Sequence, residues 1–310
     1  MLVANRIISI CYNFEIKRGS YMKIIYKILL LILFLVINLN ADNLTKGTRA
    51  YVDKDYDKAF ILLDSLAKDG DEKAIYMIAN MYYSGKGVKK NKKHAIDLWK
   101  ESANKGYLRA EYKLAHVFYN DKGKEKDLNK ALVWYKKSAK HGSAKAQFIL
   151  ASLYDKTEGI KQDSAKALHW YQTAAKNGYL GAQFLLAMKY EKGKGVKKDL
   201  KKAFYWYKKS AESGDAGAQS FLATMYEDGN GVECDFNKAF YWYEISAKKG
   251  YARSQHRLGM MYYDGVGTAL DKKKGIYWSE KAAAQGDIMA KSSLGAMYCK
   301  AKLTHKEHDH

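Results

Sequence analysis

Residues 182–214 read AQFLLAMKYEKGKGVKKDLKKAFYWYKKSAESG, and the same arrangement returns 36 residues to either side. Glycines stand at 70, 106, 142, 178, 214, 250 and 286. Alanines at 74, 110, 146, 182, 218 and 290 keep that register, with Ser254 filling the gap. Tryptophans at 134, 170, 206, 242 and 278 keep it too, with Trp99 one place out. Three residue types in one register exclude chance. A stack of like units therefore replaces the single core that a chain of 310 residues would otherwise suggest.

Each unit carries two helical patterns. In the first full unit Ala74, Ile78 and Tyr82 fall four apart beside the small Ala79, one face of a helix. The large–small pair returns as Leu114/Ala115, Leu150/Ala151, Leu186/Ala187, Leu222/Ala223 and Leu258/Gly259, where the small residue lets a neighbouring helix approach. The second pattern, Ala131, Trp134, Tyr135, Ser138 and Ala139, is again helical. Asp127, Asp163, Asp199, Asp235 and Asp271 precede it as N-caps, and the 36-spaced glycine follows it as a residue tolerant of positive φ. The absence of proline fits a chain of helices joined by short loops. Those loops include Gly85-Lys-Gly87-Val88, Gly193-Lys-Gly195-Val196, Gly229-Asn-Gly231-Val232 and Gly265-Val-Gly267. They follow a helix and recur from unit to unit, whereas a phosphate-cradling glycine loop follows a strand, so they read as turns.

The pattern Ala182-Gln183, Leu186-Ala187, Tyr190, Gly193-Lys-Gly195-Val196, Asp199, Lys202-Ala203, Trp206-Tyr207, Ser210-Ala211 and Gly214 resembles the Sel-1-like repeats, relatives of the tetratricopeptide repeats. The resemblance covers residues 71–300, with a tetratricopeptide-like half-match at 47–70 through Tyr56-Asp57-Lys58-Ala59. It implies an all-α, right-handed superhelical solenoid of about seven helix-pair units, acting as an adaptor or scaffold, in exported bacterial members at the cell envelope. The expected units are 47–70, 71–106, 107–142, 143–178, 179–214, 215–250 and 251–286, with a capping helix at 287–300 and a disordered tail at 301–310. A cysteine-rich branch of that family staples each repeat with a disulfide, which this chain lacks. The second and third loops, Asp121-Lys-Gly123 and Thr157-Glu-Gly159, also lose part of the glycine pattern.

From Met22 the chain reads MKIIYKILLLILFLVINLNADN. Lys23 and Lys27 precede an unbroken apolar run from Ile28 to Ile37, and Ala41 offers a small residue before a cut. This is the layout of a signal peptide over residues 1–41, with Met22 as the expected start and a periplasmic or secreted product. The apolar run is shorter than the roughly 20 residues that span a bilayer, so no membrane span is expected after cleavage. Cys11, Cys234 and Cys299 are too few for a disulfide framework. With an intervening helix pair stacked between them, Cys234 and Cys299 are expected to stay unbridged.

The net charge of +21 raises nucleic acid as a partner. Arginine is scarce past the leader, at Arg49, Arg109, Arg253 and Arg257, and export removes the chain from DNA. The clusters Lys89, Lys90, Lys92, Lys93 and Lys197, Lys198, Lys201, Lys202 read as a solvated rim, with an anionic envelope surface as the alternative partner.

Because the cysteine-rich branch carries a β-lactamase label, an envelope hydrolase is the catalytic alternative. Ser102-x-x-Lys105 and Ser246-x-x-Lys249 supply one element of that serine signature, and the Ser-Asp-Asn and Lys-Thr-Gly elements are missing. His94, His116, His141, His169 and His256 are scattered, and His305, His308 and His310 lie in the tail, so no metal or cofactor is expected. By analogy with tetratricopeptide arrays, the first helices line a concave groove. Its candidate partner-binding residues are Tyr76, Tyr112, Phe148 and Phe184, then Asn80, His116, Ser152 and Met188, then Tyr83 and Tyr119, with Asp155 and Glu191 continuing the last column. Large aromatics in such a stripe suit protein recognition, or else pack against the next unit. The expected function is a non-catalytic scaffold that binds a protein or peptide partner.

Overall fold

Aspartates and glycines at fixed offsets divide residues 56–284 into thirteen-residue helices. A computed structural model describes residues 20–120, 127–156 and 160–306, with side chains at 25–34, 41–120, 127–156 and 160–298. Every regular element among them is a helix: α1 Ser20–Val52, α2 Tyr56–Lys68, α3 Glu72–Ser84, α4 Lys92–Asn104, α5 Leu108–Asn120, α6 Leu128–Lys140, α7 Ala144–Lys156 and α8 Ser164–Lys176. Then come α9 Leu180–Lys192, α10 Leu200–Glu212, α11 Ala216–Asp228, α12 Phe236–Lys248, α13 Ala252–Asp264, α14 Lys272–Ala284 and α15 Ile288–Lys306. Odd-numbered helices are the first, and even-numbered helices the second, of each pair. The result is an all-α helical repeat solenoid, divided into two compact units, residues 1–137 and 138–310, with the division inside α6.

The predicted caps form. The carboxylates of Asp163, Asp199 and Asp235 each accept the backbone N–H three residues on at 2.9 Å, as do Asp127 and Asp271. The glycine after each second helix takes the left-handed conformation, φ 97° at Gly214, for example. Between helices, Gly231 combines φ 75° with close approach: a Cβ there would lie 2.5 Å from the Leu200 carbonyl carbon. No other residue type fits that turn without moving the neighbouring helix start.

In the second unit the core is built from Leu186, Leu222 and Leu258 with Ala187, Ala223, Ala203 and Ala239, closed by Tyr207 and Tyr243. The apparent displacement of Trp99 has a packing reason. Trp99 stands 36 residues before Tyr135, in the column that continues as Tyr171, Tyr207 and Tyr243, and this column is buried. Trp134, Trp170, Trp206, Trp242 and Trp278 belong to the adjacent column and are only half-buried.

In α1 the last residues, including Leu44, Ala50 and Tyr51, pack with Ala59, Leu63 and Leu66 of α2 as a helix pair. Upstream, Ile25, Ile28, Leu29, Leu30, Leu31, Ile32 and Phe34 are exposed. Among the described residues no helix is long and apolar enough to cross a membrane. At the other end α15 continues to Lys306, six residues into the segment read as a tail. Residues 307–310, most of residues 1–21, the two irregular loops and the side chains of Cys299 and His305 lie outside the described part. Cys234 is exposed and unbridged.

Candidate functional site

The groove candidates lie on the first helices, and all but His116 and Ser152 are half-buried. In the first unit Tyr76, Asn80, Tyr83, Tyr112 and Tyr119 are half-buried and His116 is exposed. Tyr112 and Tyr119 both lean on the buried Tyr135, with ring centroids 6.0 and 6.3 Å away. Tyr112 also lies 5.9 Å from His116. Tyr76 packs on Tyr107 at 5.1 Å, and Tyr83 on Trp99 at 5.1 Å. One face of each ring thus serves packing and the remainder meets solvent. Burial, then the neighbouring Tyr112 and Tyr119, pushes the Tyr135 hydroxyl above its ordinary range.

In the second unit Phe148, Phe184 and Met188 are half-buried and Ser152 is exposed. Phe148 lies 5.6 Å from Tyr171, and Phe184 lies 5.7 Å from Tyr207 and 5.6 Å from Phe221. The aromatic column ends beyond Phe184, where Ser220 and His256 are buried and His256 meets the Ser293 hydroxyl at 2.9 Å. Burial lowers the His256 imidazole below its ordinary range.

Asp155, Glu191 and Glu227 form a column whose purpose the sequence reading did not identify. The Tyr207 hydroxyl donates to Glu191 Oε2 at 2.8 Å, and the Tyr243 hydroxyl donates to Glu227 Oε2 at 2.8 Å. Two of these carboxylates meet cations from the next repeat: Lys189 Nζ at 3.1 Å from Asp155, and Arg257 Nη2 at 2.6 Å from Glu227. Burial first, and then the adjacent carboxylate, pushes the Tyr171 and Tyr243 hydroxyls up to about 12. Repeated 36-residue spacing of acids was the available signal. Beside this column Leu185, Met188, Lys156, Lys189, Lys192 and Lys194 line a cleft of about 410 Å³.

The serines of the Ser-x-x-Lys matches are buried structural donors. Ser102 Oγ donates to the Glu72 carbonyl at 2.6 Å and Ser246 Oγ to the Ala216 carbonyl at 2.7 Å, each tying a second helix to the first helix of its own pair. Lys249 Nζ donates to the Gly214 carbonyl at 2.6 Å. Among the described residues no cluster of His, Cys, Asp and Glu could hold a metal ion. Part of the lysine rim is also engaged: Lys202 pairs with its cap Asp199 at 3.1 Å and stands over the Tyr190 ring, an arrangement that Lys166 and Lys238 repeat.

The Sel1 repeat matches seven segments of the chain: residues 43–71, 72–107, 108–143, 144–179, 181–215, 216–251 and 252–287. The first begins at 43, not 47, in keeping with the packed end of α1. Among solved structures the chain is similar to a protective antigen of uropathogenic Escherichia coli strains displaying an SLR fold, at 33% identity and TM-score 0.68, over 76% of this chain. It spans 50% of the length of that protein. It is also similar to a Sel1 repeat protein from Oxalobacter formigenes, at 30% identity and TM-score 0.65, over 91% of this chain and 83% of that one. No curated protein sequence matches the chain.

Proposed function

Because the chain belongs to the Sel1 repeat family, we propose that it is a non-catalytic scaffold of the bacterial periplasm or cell envelope that binds a partner protein along its first-helix face. Sel1 repeats mediate protein–protein interaction, which makes a protein the partner class. The observation that carries the reading is the set of half-buried rings at 36-residue spacing, Tyr76, Tyr112, Phe148 and Phe184, each presenting solvent-facing aromatic surface beside polar neighbours. Amphipathic rings of this kind supply a large contact area at low conformational cost. Burial of Ser102 and Ser246 supports a non-catalytic role. Export rests on the basic-then-apolar leader and on the packed part of the first repeat lying downstream of Ala41, so that a cut there leaves every repeat whole.

The test is cross-linking capture from an envelope extract, with the captured protein identified and then purified. Replacing Tyr76, Tyr112 and Tyr119 together with alanine should abolish capture, since buried interface aromatics contribute about 2 kcal/mol or more each. Because Tyr112 and Tyr119 also support Tyr135, His116→Glu is the companion variant, altering an exposed side chain while leaving the Tyr112 and Tyr119 contacts with Tyr135 in place. Unchanged capture by His116→Glu, with capture lost on neutralising Lys197, Lys198, Lys201 and Lys202, would move the site to the charged rim.

A further inference from the structure

The repeats act as their own comparison. In the second unit Glu227, Tyr243 and Arg257 form a closed set: the tyrosine hydroxyl and the guanidinium both meet Glu227 Oε2, at 2.8 and 2.6 Å. Four repeats earlier the same three positions are Tyr83, Trp99 and Lys113. The donor and the cation are kept, and the acid between them is gone. Lys113 Nζ stands 5.5 Å from the Tyr83 ring and 5.3 Å from the Trp99 ring, and no described carboxylate pairs with it. Trp99 Nε1 is buried without a hydrogen-bond partner. Lys92 Nζ stands over the same Tyr83 ring at 5.6 Å, adding positive charge. Burial lowers the Lys113 ammonium below its ordinary range, as a desolvated cation without a counter-ion requires.

We infer that the first unit receives a carboxylate from its partner at Lys113, between Tyr83 and Trp99, in the place that Glu227 fills in the second unit. This rests on the scaffold reading and names the partner chemistry: a segment presenting aspartate or glutamate, or a chain-terminal carboxylate. The carboxylate meets the ammonium over the Tyr83 ring. The Trp99 N–H is buried beside the Tyr83 ring and comes within its reach when the half-buried Tyr83 side chain turns outward. The pair forms at the edge of aromatic surface, where a charge-assisted bond is stronger than in open solvent. The neighbouring Tyr76, Tyr112 and His116 supply the contact area beside it.

The experiment uses fluorescence anisotropy with a labelled, acetylated and amidated glutamate-rich peptide. Two comparison peptides carry glutamine instead, one amidated and one with a free C-terminus, to separate side-chain from terminal carboxylates. Lys113→Met keeps the aliphatic stem and removes the charge, while Tyr83→Glu places an acid inside the chain to compete with the ligand. Each should weaken binding of the carboxylate peptide at least about tenfold, whereas Lys201→Met, with equal loss of charge on α10, should stay within about twofold. Equal losses for Lys113→Met and Lys201→Met would overturn the site in favour of general charge attraction. So would parental affinity in Tyr83→Glu, or Lys113-dependent binding to phosphatidylglycerol vesicles without binding to either carboxylate peptide. Circular dichroism checks each variant, and if Tyr83→Glu fails to fold, Lys113→Met decides alone. Loss of protein capture in His116→Glu with no effect of Lys113→Met would leave the scaffold standing and remove the carboxylate.

Discussion

Gln147, Gln183, Gln219 and Gln255 repeat at 36-residue spacing, and each Nε2 donates to the carbonyl of Ala139, Ala175, Ala211 or Ala247 at 2.9 to 3.2 Å. Their Oε1 atoms fare differently. Gln147 accepts from Asn177 Nδ2 at 2.9 Å and Gln255 from Gln285 Nε2 at 2.7 Å, whereas the Oε1 atoms of Gln183 and Gln219 are buried without partners. Position 213 is the counterpart of Asn177 for Gln183, and it holds serine, whose hydroxyl donates to the Lys209 carbonyl at 2.9 Å. The two backbones match, φ −81° and ψ 2° at Ser213 against φ −80° and ψ 14° at Asn177. Ser213→Asn should therefore deliver the missing donor. An unsatisfied buried polar group costs roughly 1–3 kcal/mol and a new bond contributes about 1, against loss of one exposed bond, so the variant should gain about 1–2 kcal/mol. The assay is urea unfolding at constant m-value, with Gln183→Met completing a double-mutant cycle. Gln183→Met alone should be near neutral, since it removes one bond and one orphan acceptor together, while Gln147→Met loses two bonds and should cost about 2 kcal/mol. A gain from Ser213→Asn that persists in the Gln183→Met background, or no gain at all, would refute the assignment.

Hydrogen bonds from the lysine three residues on hold the cap carboxylates of Asp127, Asp163, Asp199, Asp235 and Asp271 below the ordinary 3.8. The folded state therefore favours the charged form, and the capping contribution is complete above that value and lost as pH falls through the lower folded values. Acid unfolding should steepen below pH 3.8, and Asp199→Asn, which still caps but does not titrate, should flatten part of that slope. Mass spectrometry of the protein from its host should give a mature chain beginning at Asp42; an intact terminus upstream of Leu39 would make the leader an anchor. A chromogenic β-lactam should not be turned over, and turnover that vanishes with Ser102→Ala or Ser246→Ala would revive the hydrolase.

Most of the scaffold was legible because each structural device needs one residue type at one place per unit. A left-handed turn selects glycine, an N-cap selects aspartate, and close helix approach selects alanine, so all three repeat at 36 residues without reference to any contact. Trp99 was legible only as an exception. Its reason, that the buried column accepts tryptophan in place of tyrosine, needs the packing of the neighbouring column to be known. The start of the first repeat was hidden because the apolar run from Ile28 and the first residues of that repeat lie in one continuous helix, α1, with no turn between them. The candidate residues of the first helices could be named from their register, but not how far each is buried, since helical spacing does not reveal which side of a ring the next helix covers.

What a single column conceals, two columns at a fixed offset disclose. The acid of one first helix, the aromatic 16 residues on and the cation 14 residues beyond that make one set, so their agreement or mismatch becomes visible only when units are compared position by position. Where all three agree, at Glu227, Tyr243 and Arg257, the set pairs its hydroxyl, carboxylate and guanidinium among themselves. Where the acid is exchanged for Tyr83, the same scaffold keeps a buried donor and a half-buried cation, the pair that the proposed carboxylate would complete. A burial penalty of that kind persists in a folded chain when something offsets it, and a bound carboxylate is the group whose charge and geometry match what was removed.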